Sequence, residues 1–113
     1  MHELSIAIGI VDIASDHAKK NNASQVKEIE IEVGSLSGIV IDALDFAMEA
    51  AIKNSICDNA QWKIIEIPAR SVCTTTKKEY PSNDLYSKCP YCGMYGHELI
   101  SGRELRVKSL LVE

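Results

Sequence analysis

Cysteine and histidine carry the distinctive chemistry of this sequence, and their spacing is informative. Cys89-Pro90-Tyr91-Cys92-Gly93 has two residues between its cysteines, which lets both thiolates reach one ion. Glycine after the second cysteine helps the turn take an unusual backbone conformation. Such a pair is half of a tetrahedral site, and the other half is expected upstream. Cys73 lies there, but C-x2-C-x12-C-x2-C spacing would put its partner at position 76, which is Thr76, followed by Lys77 in place of a knuckle glycine. An alcohol is not a plausible fourth ligand of a structural zinc ion. Three thiols are therefore in line, with Cys57, His97, Asp84 or water as candidates for the fourth place. Cys57 has a plainer reading as a small buried apolar residue. A redox pair is the rival use of Cys89 and Cys92, but a thioredoxin-like pair belongs at the start of a helix after a strand, and here it lies in a turn-rich stretch. A structural disulfide has no secretory signal to support it.

The amino terminus offers a second metal chemistry. In Met1-His2-Glu3 the α-amine, the His2 imidazole and deprotonated backbone amides can chelate one ion in a plane. Nitrogen-rich square-planar geometry suits nickel(II) or copper(II). Affinity would fall at low pH, because amine and imidazole must lose protons. A plainer reading has Glu3 at the positive end of the first helix, where a carboxylate is favoured, and the two are compatible. His17 reads as a surface or half-buried helix residue. No Ser/His/Asp arrangement, phosphate-cradling glycine loop or hydrolytic carboxylate pair is evident, so the chain reads as a non-enzyme.

The elements that must position these residues follow from periodicity. Leu4, Ala7, Ile8, Val11, Ala14 and Ala18 recur at helical spacing and predict a helix over 4–19. Ile6, Ile10 and Ile13 widen its stripe, so cover on more than one side is expected. Strict alternation predicts a strand over 26–33, with Ile29, Ile31 and Val33 on one face and Glu28, Glu30 and Glu32 on a wet one. A second helix is predicted over 40–53, with Val40, Leu44, Ala47, Met48 and Ala51 inward. Strands are predicted over 61–67 and 104–112. If the last pairs with the first, Arg106 and Lys108 could face the glutamate row, although two merely solvated faces explain the pattern equally well. The fold class is α+β: two helices on a small three-stranded sheet, with a loop-rich, zinc-ribbon-like insert before the last strand. The expected division is a body of residues 1–68 and 103–113 and an insert of residues 69–102.

Composition agrees with this reading. The chain has 113 residues, 46% hydrophobic and 25% charged, with net charge −4, which is ordinary for one folded domain. No apolar run approaches a membrane span, and the first residues do not read as a secretory signal. A cytoplasmic location is expected, with no membrane and no nucleic acid as partners. The acidic balance argues against bulk positive charge as a mode of binding. It is uneven, with 11 acidic and 5 basic side chains in residues 1–68 against 5 and 7 in residues 69–113.

Taken together, these stretches resemble the nickel metallochaperones of hydrogenase maturation, the HypA/HybF family. The likeness runs through Met1-His2-Glu3-Leu4-Ser5-Ile6-Ala7, Gly34-Ser35-Leu36-Ser37 with Ala43-Leu44-Asp45-Phe46-Ala47, and Ile67-Pro68 leading to Cys73. It continues through Cys89-Pro90-Tyr91-Cys92-Gly93, Ile100-Ser101-Gly102-Arg103-Glu104-Leu105 and Val107-Lys108-Ser109-Leu110, and so covers essentially the whole chain in order. The resemblance implies nickel uptake through the His2 side chain, with amine and backbone nitrogens of Met1, His2 and Glu3. It implies delivery to the large-subunit precursor of a nickel–iron hydrogenase, or in some bacteria to urease. A nickel-binding GTPase partner and frequent dimerisation are implied too. A separate zinc site, here through Cys73, Cys89 and Cys92, would order the insert. The chain departs from the family where Thr76-Lys77 replaces Cys-Gly. Alternatives are a zinc-ribbon protein–protein interaction module without a nickel role, separated by the effect of altering Met1-His2, and a small thiol redox protein, separated by thiol titration with zinc present.

Overall fold

The computed structural model describes residues 3–82, 88–93 and 98–113. Among them the chain runs α1 (Glu3–Lys20), β1 (Val26–Gly34), α2 (Ile41–Ala51), β2 (Gln61–Ile67), β3 (Arg70–Val72), β4 (Glu79–Pro81), β5 (Glu98–Ser101) and β6 (Leu105–Val112). The first sheet has the order β2-β1-β6. β1 and β2 are parallel, with Ile31 opposite Ile64, and α2 supplies the long crossover that parallel strands require. β6 returns antiparallel on the other side, with Ile29 opposite Leu110 and Ile31 opposite Val107.

Alternation in β1 divides the sheet as expected. Ile29, Ile31 and Val33 are fully buried against the helices. On the other face Arg106 pairs with Glu32, and Lys108 Nζ lies 3.9 Å from Glu30. The cross-strand reading of those charges therefore holds over that of two merely solvated faces.

On α1 the inward residues are Ala7, Ile10, Val11, Ala14 and Ala18. Four of these five are alanine or valine, so the helix can approach its neighbours closely. The helix packs against α2 and also against β6 and β1, so it is covered on more than one side as expected, with Ile10 buried and Ile6 half-buried; Leu4, Ile8 and Ile13 of the predicted stripe are exposed. On α2, Leu44, Ala47 and Met48 are buried. Val40 is not part of the inward face: its extended backbone puts it just before the helix, with its side chain exposed. Trp62 on β2 donates its indole N–H to Asp45 on α2 (2.8 Å), tying the crossover helix to its strand.

The insert is more regular than its loop-rich sequence suggested. β3, β4 and β5 form a second antiparallel sheet in the order β4-β3-β5. The two sheets meet where the turn after β1 crosses the chain leaving β5. Gly34 N–H donates to Glu104 (2.7 Å), Leu36 N–H to the Gly102 carbonyl (2.6 Å) and Ser35 N–H to Ile67 (2.9 Å). The approach is close enough that a Cβ at Gly34 would stand 2.1 Å from the Gly102 carbonyl, and Gly102 itself has φ +117°.

Candidate metal centre

Two turns of the insert carry the thiols. Cys73 follows directly on β3, and Cys89 and Cys92 lie in a separate turn. Each turn closes the same way. Lys77 N–H donates to the Cys73 carbonyl (2.8 Å), and Gly93 N–H to the Cys89 carbonyl (2.9 Å). Both closing residues are left-handed, Gly93 at φ +76° and Lys77 at φ +62°. Glycine takes that conformation without strain, whereas for lysine it is uncommon. The first knuckle thus has the same backbone form as the second, with Thr76-Lys77 in the places that Cys92-Gly93 hold there.

These turns bring Cys73, Cys89 and Cys92 together, with their three sulfurs within 4.8 Å of one another. A tetrahedron with zinc–sulfur bonds of ~2.3 Å has edges of ~3.8 Å, so the spacing suits three corners of such a site after a small contraction. Among the described residues no fourth histidine, cysteine, aspartate or glutamate joins the group. Cys57 is elsewhere: it is fully buried in the core formed with α1 and α2, with its sulfur 4.0 Å from Ser15 Oγ. It is the small core residue of the plainer reading, and burial pushes its thiol up from the ordinary value. Asp84 and His97 lie outside the described residues.

Hydrogen bonds favour thiolates here. The Thr76 hydroxyl and Thr76 N–H (3.5 Å) both donate to Cys73 Sγ, the hydroxyl having the larger effect, and they hold that thiol down to about 6. Tyr91 N–H lies 3.4 Å from Cys89 Sγ. Tyr80, buried on β4 with Cys73 and Cys89, directs its hydroxyl at Cys89, while burial foremost and the nearby sulfurs push the phenol up. Its ring meets Tyr91 edge-on at 6.3 Å, and Lys78 Nζ lies 5.3 Å from the centre of the Tyr91 ring. Sequence reasoning missed Tyr80, and it marked Lys77 only as standing where a knuckle glycine is expected. An aromatic residue between two turns carries no spacing signal, and nothing in a lysine announces a left-handed backbone.

Of the amino-terminal set, Met1 and His2 lie outside the described residues. Glu3 opens α1, and its Oε2 accepts a hydrogen bond from Val40 N–H at 3.3 Å. The start of the chain is thereby tied to the approach of α2, which has no side-chain cap of its own at Val40. His17, near the end of α1, is exposed.

Comparison with known proteins covers the same length of chain. Residues 1–112 match the family described as "Hydrogenase/urease nickel incorporation, metallochaperone, hypA". The chain is 42% identical over 113 residues to the hydrogenase maturation factor HypA of Parabacteroides distasonis, covering 100% of this chain and 98% of that one. It is 40% identical to the factor of the same name from Geobacter metallireducens, covering 100% of both. The solution structure of the nickel metallochaperone HypA from Helicobacter pylori superposes with a TM-score of 0.70 at 26% identity, over 99% of this chain and 97% of that one. A match across both sheets and both ends, with identity of this order to several relatives, places the chain in the HypA family of nickel-incorporation metallochaperones for hydrogenase and urease.

Proposed function

We propose that the chain binds one nickel(II) ion at its amino terminus and passes it to the large-subunit precursor of a nickel–iron hydrogenase. The observation that carries this is the family match running from residue 1, which includes Met1-His2-Glu3. The α-amine, the His2 imidazole and backbone nitrogens supply a nitrogen-rich planar set suited to nickel. Terminal ligands of this kind can be displaced one at a time by a receiving site, which a cargo-carrying protein needs. The Glu3 carboxylate, held by Val40 N–H, would fix where this set begins on the body. Nickel is cargo, and the chain performs no catalysis on it. A nickel-binding GTPase and a second copy of the chain are the expected partners in the cytoplasm, with neither nucleic acid nor membrane involved.

The body of residues 1–68 and 103–113 would carry the nickel, and residues 69–102 would form a separately ordered unit. Cys73, Cys89 and Cys92 would hold zinc there, and zinc would supply the crosslink between the two knuckle turns. A third thiol within 4.8 Å of Cys89 and Cys92 favours a metal over a dithiol redox pair.

Calorimetric titration of untagged protein with nickel chloride tests the reading. One nickel per chain is expected, with affinity falling as pH drops through the imidazole range near ~6.5. His2→Ala should abolish it without altering the circular dichroism spectrum. Unchanged stoichiometry and affinity in that variant would place nickel elsewhere.

A further inference from the structure

The first knuckle turn keeps the geometry that presents a ligand but has lost the ligand. Thr76 occupies in its turn the place that Cys92 occupies in the other, three residues after the leading cysteine and just before the left-handed residue. The turn around it is intact, closed by the 2.8 Å bond from Lys77 N–H to Cys73. The fourth corner of the tetrahedron therefore falls beside a hydroxyl. That hydroxyl is already engaged as a donor to Cys73 Sγ, so its hydrogen points at sulfur. A neutral alcohol is a poor zinc ligand in any case. Cys92 is exposed, which puts the cluster within reach of solvent on that side.

We propose that Cys73, Cys89 and Cys92 bind a thiophilic divalent ion as a three-thiolate site, with the fourth coordination position beside Thr76 left to an exchangeable ligand from outside the chain. Water fills it by default. The ligands it selects are monodentate thiolate sulfur or imidazole nitrogen, the donors that zinc accepts most readily. Three protein ligands and one open place is the arrangement of an exchanging zinc site, whereas a structural site is closed by four. The inference concerns the insert alone and does not depend on nickel at the amino terminus.

The test uses cobalt(II) as a visible substitute for zinc, in the full chain carrying His2→Ala so that the amino terminus does not contribute. One cobalt per chain is expected, with sulfur-to-cobalt charge transfer in proportion to three thiolates. Added imidazole or mercaptoethanol should shift the visible bands saturably. Thr76→Cys should close the site: charge transfer rises by about a third, the response to imidazole disappears, and affinity in competition with a chromogenic chelator rises about tenfold or more, as expected for four protein ligands in place of three. Thr76→Ala removes the hydroxyl that donates to Cys73 Sγ, so it should shift the charge-transfer band slightly while keeping its intensity and the response to imidazole. The proposal is overturned if imidazole and mercaptoethanol leave the parent spectrum unchanged. It is equally overturned if the response to imidazole appears or grows severalfold only in Thr76→Ala, since the threonine would then be holding the fourth place, or if no cobalt binds. His97→Ala or Asp84→Ala that creates a response absent from the parent would identify the residue that closes the site instead.

Discussion

Gly34→Ala should unfasten the crossing where the two sheets meet. The added Cβ would stand 2.1 Å from the carbonyl carbon and oxygen of Gly102 and 2.5 Å from Arg103 N. All three atoms are backbone, so no side chain can rotate away, and ordinary contact at ~3.5 Å requires the strands to part by over ~1 Å. Overpacking of this kind costs ~1–3 kcal/mol. The displacement also removes the bonds from Gly34 N–H to Glu104 (2.7 Å) and from Leu36 N–H to Gly102 (2.6 Å), each worth ~1 kcal/mol. The expected loss is ~3–5 kcal/mol, a large share of the ~5–15 kcal/mol that holds a domain folded. In a thermal melt this is a fall of roughly 10–20 °C for a chain of this size. Gly9→Ala is the paired control, because nothing lies within 4 Å of the Cβ it would add on α1. It should stabilise the protein by ~0.5–1 kcal/mol through helix propensity. A Gly34→Ala protein melting within about 3 °C of the parent would refute the close crossing.

Other expectations follow from the same packing. Leu44→Ala opens the fully buried core beneath α2 and should cost ~3–5 kcal/mol in a urea titration. Stripping the insert of metal with a chelator should raise amide exchange at Lys77 and Gly93, whose bonds close the knuckle turns, while Ile29 and Ile31 stay protected; loss of protection at both places together would mean one cooperative unit. The Cys57 thiol is pushed above its ordinary 9.0 by burial, so the folded state keeps its proton where the unfolded chain releases it. Its contribution is complete below pH 9.0 and is lost as pH rises through the folded value, so the gap in urea midpoint between wild type and Cys57→Ala should narrow above that pH.

Much of the body was legible because its elements are long. Strict alternation from Glu28 to Val33 marked β1 and both of its faces, and the Arg106/Lys108 row found its glutamates once β6 paired beside it. Val40 was misplaced because helical spacing is blind to where a helix begins, and here the chain is still extended at that residue. β3 and β4 span three residues each and β5 four, too short for a period to show. Buried Ser71 and the charged Arg70 beside it hid β3 further. Cysteine spacing brought out three thiols, and Thr76 announced the missing fourth. That the turn around Thr76 survives, with Lys77 in a glycine's conformation, depends on hydrogen bonding that residue types do not encode.

The central claim is a nickel site at the chain start, separate from the thiolates of the insert. Native mass spectrometry of untagged protein with added nickel tests it most directly, comparing wild type, His2→Ala and the Cys89→Ser/Cys92→Ser double variant. The account predicts one nickel in wild type and in the double variant, and none in His2→Ala. Nickel retained by His2→Ala and lost with the two cysteines would contradict it and move the cargo to the insert.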